Sequence, residues 1–197
     1  MTRYFLFIML TLFCLACSDG TIYTPKPRSF PKITYPERTF VAFTNDDCSF
    51  SFRIPGYYEV KQVQQSEKGA PQHDCWFDLY VKEFDCNLHC TYLEVGKEKS
   101  FDEIKTGAFK MTDWHNKRAT YIDEIVLTSK YGAKGVAAEI EGPVASHYQF
   151  FLTDSEQKHF FNAALYFNSE AKPDSLRPML DFIKQDLDSL IFSFKWD

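Results

Sequence analysis

Apolar and polar positions alternate with a period of two along much of this chain. The cleanest run is Phe84, Cys86, Leu88, Cys90 and Tyr92, interleaved with Asp85, Asn87, His89 and Thr91. Such a period places an apolar and a polar row on opposite faces of an antiparallel strand. Phe50, Phe52 and Ile54 alternate with Ser49, Ser51 and Arg53 and stop at the turn pair Pro55-Gly56. Tyr58, Val60 and Gln62 continue as the return strand, and Thr39 to Phe43 alternates similarly. Residues 75–81 are apolar on both faces, which predicts a central strand. Four more strands are predicted over 120–128, 134–142, 145–153 and 158–168. The last two join through a polar turn at 153–158 as a hairpin.

Two segments change the period to that of a helix. Ser100-Phe101-Asp102-Glu103 is a capping box, in which hydroxyl and carboxylate serve opposite orphan amides. Phe101, Ile104, Ala108 and Met111 follow at helical spacing, predicting a helix over about 100–117. A second helix starts at Pro173, with Asp174 as its cap. Leu176, Met179, Leu180, Ile183, Leu187, Leu190 and Ile191 form its apolar stripe. Asp181, Lys184 and Asp188 take the outer face, with Lys184 paired along the helix, and Pro178 falls in the first turn. Two helices and about seven strands make an α+β fold, a helix-flanked, mostly antiparallel sheet spanning residues 39–197 as one domain.

The amino terminus follows neither period. Arg3 is the only charge before Asp19, and an apolar run from Tyr4 to Leu15 ends at Ala16 and Cys17. A positive start, an apolar stretch and a small residue before the cut make a secretory signal over residues 1–16. Cys17 after that small residue resembles the bacterial lipoprotein box, with Cys14 where the box usually has Leu. The resemblance implies lipidation at Cys17 and anchoring to a membrane of the envelope, facing the periplasm. Ser18 after Cys17 favours the outer membrane. Four of the nine prolines fall within residues 18–38, interleaved with Lys26, Arg28, Lys32 and Arg38. Residues 17–38 therefore read as lipid anchor and extended tether.

The charge sum is 22 Lys+Arg against 27 Asp+Glu, a net −5. Without a basic block this argues against nucleic acid as a partner. Aromatics at 17% argue against disorder.

Four cysteines remain beyond the signal and the box: Cys48, Cys75, Cys86 and Cys90, which allow three full pairings. On a regular strand Cys86 and Cys90 stand some 13 Å apart, beyond the roughly 7 Å limit for a bridge. Cys48 and Cys75 each open a strand, so a bridge between them is geometrically reasonable. It would close a loop of about 27 residues and contribute about 3 kcal/mol. A zinc alternative uses His73, Cys75, Cys86, His89 and Cys90, but a flat strand sends His89 to the face opposite Cys86 and Cys90. No metal and no cofactor is expected.

Motifs of catalysis are absent: no Gly-x-Ser-x-Gly elbow, no His-Glu-x-x-His and no phosphate loop. Ser146 and His147 are adjacent in a strand, hence on opposite faces and not a nucleophile–base pair. His115 and His159 lie at element ends and read as surface or capping residues. Asp46-Asp47 is a weak calcium signal. Phe150-Phe151 and Phe160-Phe161 read as core on both faces of a sheet.

Residues 52–57, Phe-Arg-Ile-Pro-Gly-Tyr, and Ser193-Phe194-Lys195 after the last helix resemble the PsbP-like sandwich. More of the chain resembles the gliding motility lipoprotein GldD family of Bacteroidetes. The shared segments are Cys17, Thr24-Pro25-Lys26-Pro27-Arg28, Asp47-Cys48, Cys75-Trp76 and Val144-Ala145-Ser146 running into Gln149 to Ser155. Lys158-His159-Phe160, Leu165-Tyr166-Phe167, Pro173 to Leu176 and Phe194-Lys195-Trp196 complete them. Cys48 and Cys75 both fall on the family pattern, which supports their pairing; Cys86 and Cys90 do not. The resemblance implies no catalytic activity. It implies a role in gliding motility and the linked type IX secretion machinery, through contacts with proteins of that apparatus. The basic stretch with Lys26 and Arg28 and the hairpin tip with Asp154, Lys158 and His159 are the expected contacts. A carrier of lipid or of an outer-membrane client is the second reading.

Overall fold

A computed structural model describes residues 32–45, 48–62, 75–169 and 173–197. Cys17, Lys26, Arg28, Asp46, Asp47 and His73 lie outside these residues. The described elements are β1 (Phe40–Thr44), β2 (Phe50–Pro55), β3 (Glu59–Gln62), β4 (Phe77–Val81), β5 (Cys86–Glu94) and α1 (Phe101–Asp113). They continue as β6 (Tyr121–Thr128), β7 (Lys134–Glu141), β8 (Ser146–Thr153), β9 (His159–Phe167), α2 (Pro173–Ser193) and β10 (Lys195–Trp196). Seven strands form an antiparallel sheet in the order β3-β4-β5-β9-β8-β7-β6. β1, β2 and β10 form a second, smaller one around β2. The α+β reading holds; about seven strands were expected and ten are described, the expected strands near 39–43 and 50–54 falling in the small sheet and the others in the large one.

Alternation explains most of these strands, and its failures have local causes. β5 starts at Cys86 rather than residue 84, because Phe84 closes a 3-10 turn and Asp85 takes a left-handed conformation (φ 45°). Cys86, Leu88, Cys90 and Tyr92 are all buried, as predicted. β4 is not apolar on both faces: Phe77, Leu79 and Val81 are buried, but Asp78 and Tyr80 are half-exposed. The strand enclosed on both faces is β8, with all eight residues buried. Phe150 and Phe161 pack towards α2 and the small sheet, while Phe151 and Phe160 pack with Ile104 of α1. At Gly135 of β7 an added Cβ would sit 1.7 Å from the Phe151 carbonyl oxygen, so the β7–β8 approach requires glycine.

The two helices cover opposite faces of the large sheet. Ser100 and Glu103 complete the capping box of α1: the Ser100 amide donates to Glu103 Oε2 at 2.9 Å and the Glu103 amide to Ser100 Oγ at 3.4 Å. Ser100→Ala is expected to lower stability by about 1 kcal/mol, read as a shifted urea midpoint with unchanged slope. The inward row of α1 runs Ile104, Ala108, Thr112, whereas Met111 is exposed. A 3.6-residue turn drifts off a 3-4-3 spacing, and Thr112 finds a polar partner inside. α2 begins at Pro173, so Asp174 lies in its first turn rather than at the cap, and Pro178 one turn further in. Lys184 makes its ion pair across to Glu139 of β7, at 2.5 Å, and its charge also acts on Asp188 four residues along the helix.

Cys48 and Cys75 form a disulfide with a Cα–Cα distance of 5.6 Å. Cys86 and Cys90 are free and buried. Burial, and then the negative charges of Asp85 and Asp186, push the Cys86 thiol up to about 12. Burial pushes Cys90 well up as well. Native protein treated with iodoacetamide at pH 8 should leave both unlabelled, because the thiolate is the reactive species. Label should enter their shared tryptic peptide only after unfolding, as read by mass spectrometry.

Candidate functional site

Residues 32–38, expected to end the tether, lie on the domain instead. Ile33 packs against the main core, and the Tyr35 ring lies 4.8 Å from that of Phe182 on α2. Arg38 Nε donates to Asp186 Oδ1 at 2.6 Å and Arg38 Nη2 to the Phe182 carbonyl at 2.8 Å. Its guanidinium also lies 3.7 Å over the Phe182 ring. Asp186 is fully buried, yet its other oxygen accepts from the hydroxyls of Tyr57 and Tyr58, the latter at 3.3 Å. Burial, and then the carboxylate, hold both phenols well above the ordinary tyrosine range, so they stay donors. The guanidinium thus ties the incoming chain to α2, and the two phenols tie the β2–β3 turn to the same carboxylate. The domain takes up the chain by Ile33, not at residue 39. Neither Asp186 nor Phe182 was flagged by the apolar stripe of α2.

The β8–β9 hairpin tip is a built turn. Asp154 Oδ1 accepts from the amides of Lys158 at 2.8 Å and His159 at 3.0 Å, and Gln157 takes a positive φ of 56°. Lys158 is exposed and ion-paired with Glu156. His159 is half-buried, not free at the surface: Nδ1 meets the Tyr92 hydroxyl at 2.7 Å, and its ring stacks 5.5 Å from Trp196. Asp154 and His159 therefore shape the tip, and Lys158 is the side chain it presents.

A buried polar track that the sequence reading missed crosses from α1 to β8. Thr112 Oγ1 donates to Gln149 Oε1 at 3.2 Å, and Gln149 Nε2 meets His115 Nε2 at 3.0 Å. Burial, and then His147 nearby, hold the His115 imidazole below its ordinary range, so its nitrogen accepts. His147 is itself buried, with Nδ1 3.1 Å from the Ile140 carbonyl. Ser146 Oγ donates to the Tyr148 carbonyl at 3.3 Å, so Ser146 and His147 do not pair. Two side-chain polar atoms among the described residues are buried without a partner: His147 Nε2 and Trp196 Nε1.

Among the described residues no three His, Cys, Asp or Glu side chains converge as a metal site. His89 meets Asp78 at 2.6 Å, on the polar face of β5 away from Cys86 and Cys90. No helix of the described residues is long and apolar enough to cross a membrane.

The profile of the gliding motility lipoprotein GldD family matches residues 20–196. Among solved structures, cyanobacterial PsbP from Synechocystis sp. PCC 6803, determined in solution, is similar at 12% identity. The likeness covers 82% of this chain and 95% of that one, with a TM-score of 0.42. No curated protein matches the chain.

Proposed function

Since this chain belongs to the gliding motility lipoprotein GldD family, we propose that it is a non-enzymatic, lipid-anchored protein of the cell envelope. Cys17 carries the lipid, the proline-rich tether follows, and the domain faces the periplasm, at the outer rather than the inner membrane. Its task is to assemble or brace the gliding apparatus and the linked type IX secretion machinery through protein contacts. The family match over residues 20–196 is the observation that carries this reading. A disulfide suits an oxidising compartment. The Arg38–Asp186 clamp suits a protein held by its amino terminus, because it fixes the entering chain to the longest helix described. Lys26, Arg28 and Lys158 are the contacts we assign to partners. The carrier reading has less support, since both sheet faces behind α1 and α2 are filled with aromatic rings rather than open to cargo.

The test is a clean deletion complemented with wild type or with Cys17→Ala. Wild type should restore surface movement and secretion, and Cys17→Ala should restore neither fully. Intact movement and intact secretion in the deletion strain would overturn the reading. Crosslinking of the lipidated protein in cells should capture subunits of the machinery; capture of diverse outer-membrane clients alone would favour the carrier.

A further inference from the structure

The seven-stranded sheet ends at β6, which pairs with β7 on one side and with no described strand on the other. Its eight residues keep one unbroken antiparallel register, from Tyr121 opposite Glu141 to Thr128 opposite Lys134. The turn that closes the pair sets the parity of the ladder: the Ser129 amide donates to the Ala133 carbonyl at 2.8 Å. Bonded and unbonded positions alternate along an antiparallel pair. Leu127, Ile125, Asp123 and Tyr121 therefore bond to β7, while Thr128, Val126, Glu124 and Ile122 aim amide and carbonyl away from it. Among the described residues, backbone bonds outside the ladders engage Thr120, Ser129 and Lys130 at the two ends of β6 and none of those four.

An open row of this kind is a template for another strand, and proteins blunt it with prolines, bulges, short edges or charge. β6 has no proline and no bulge; the bulge at His147, where the register of β8 against β9 skips, lies inside the sheet. The opposite edge, β3, has only four residues. Val126 is 83% exposed and Tyr121 60%, so the β6 edge is also partly apolar. Its charge is confined to the middle, at exposed Asp123 and Glu124. No ion pair reaches either from the described residues: Glu139, opposite Asp123, holds Lys184, and Glu141 holds Arg177. The other cations stand at the ends, Lys117 and Arg118 before the strand and Lys130 and Lys134 around the closing turn.

We propose that β6 is a docking edge, onto which an extended segment of a protein partner adds as an eighth strand with Lys or Arg opposite Asp123 and Glu124. Main-chain bonds to Ile122, Glu124, Val126 and Thr128 supply affinity, and the side chains supply specificity. Adjacent strand residues point to opposite faces, so the matching segment has two neighbouring cations, one for each acid. Apolar residues flank them, opposite Ile122 and Ile125 and then Tyr121 and Val126. A second copy of this chain fits less well. β6 laid on itself brings each acid opposite an acid or an uncharged residue, since the strand holds no cation. The proposal rests on the reading that the domain works by protein contacts.

The test is amide hydrogen exchange, read by NMR on the mature chain with the capped peptide Thr-Ile-Val-Lys-Lys-Val-Ile-Thr, whose symmetry allows either strand direction. At about ten times its Kd, exchange at Ile122, Glu124, Val126 and Thr128 should slow about tenfold. Tyr121, Asp123, Ile125 and Leu127, already bonded, should change little. The same peptide with glutamates for both lysines should protect none of them. Absent or non-alternating protection, or equal protection by the acidic peptide, overturns the edge. Asp123→Lys with Glu124→Lys alters exposed side chains only and should reverse the preference between the peptides; an unchanged preference overturns the pairing. Val126→Pro deletes an outward amide and no β7 bond, and should abolish protection by the basic peptide; retained protection would also overturn it. If Val126→Pro does not fold, the charge reversal decides. In cells, a photo-crosslinker in place of Val126 that captures only a second copy of the chain overturns the partner. A silent edge in a protein whose deletion abolishes movement sinks the docking strand and leaves the functional reading standing.

Discussion

Replacing Arg38 with alanine is expected to lower the unfolding free energy by about 3 kcal/mol. Removing one partner of a buried ion pair leaves the other as an uncompensated charge, at a cost of about 3–5 kcal/mol. Asp186 is fully buried, whereas the Arg38 side chain is 28% exposed, which places the cost at the low end. The Tyr57 and Tyr58 hydroxyls soften the loss but bring no positive charge. Asp186→Asn should cost less than Arg38→Ala, because it removes the charge and keeps a polar acceptor. The double variant Arg38→Met with Asp186→Leu should likewise be less damaged than Arg38→Ala alone. Urea unfolding of the set checks the order. Equal costs for all three would show that packing of the Arg38 stem on Phe182, not charge, holds the strap.

Opening the Cys48–Cys75 bridge is the second large effect. The bridged residues are 27 apart in sequence. Closing a loop of that size in the unfolded chain contributes about 3 kcal/mol, and loss of a native bridge typically costs about 2–5 kcal/mol. For a domain of this size each kcal/mol moves the melting temperature by about 2–4 °C. The Cys48→Ser, Cys75→Ser double variant should therefore melt some 6–12 °C lower. Wild type in a strong reductant should approach the same temperature slowly, since both sulfurs belong to buried residues, 6% and 1% exposed. A difference below 2 °C between oxidised wild type and the double variant would mean that the loop is already confined without its bridge.

Much of this fold is written locally. A period of two marks β2 and β5, and the Ser100–Glu103 box marks the start of α1. What escaped is long-range or off-period. Asp186 sits on the inner row of α2 among leucines, and its partners Arg38, Tyr57 and Tyr58 lie 148, 129 and 128 positions away. No local pattern announces such a meeting, although an acid on an apolar stripe is a signal worth reading. The bulge at His147 is masked because Phe150 and Phe151 make both faces of β8 apolar, so a skipped register leaves no trace in the alternation. β10 has two residues, too few for any period to show. Lys158 at the hairpin tip was legible as a position. That Asp154 and His159 there serve the turn depended on hydrogen bonds invisible in sequence.

The small sheet sets a timetable for synthesis. β2 is its middle strand, receiving β1 on one side and β10 on the other, with Lys195 opposite Ser51 and Trp196 opposite Phe50. Phe50 also lies 5.5 Å from the Phe194 ring. A nascent chain that has made β2 must still add about 140 residues before its partner exists, so this closure is among the most non-local in the molecule. Until Trp196 has left the ribosome, Phe50 lacks its cover and the sheet stays open. For the exported lipoprotein proposed above that delay is useful, because an unfinished domain passes a narrow translocation channel that a finished one would block.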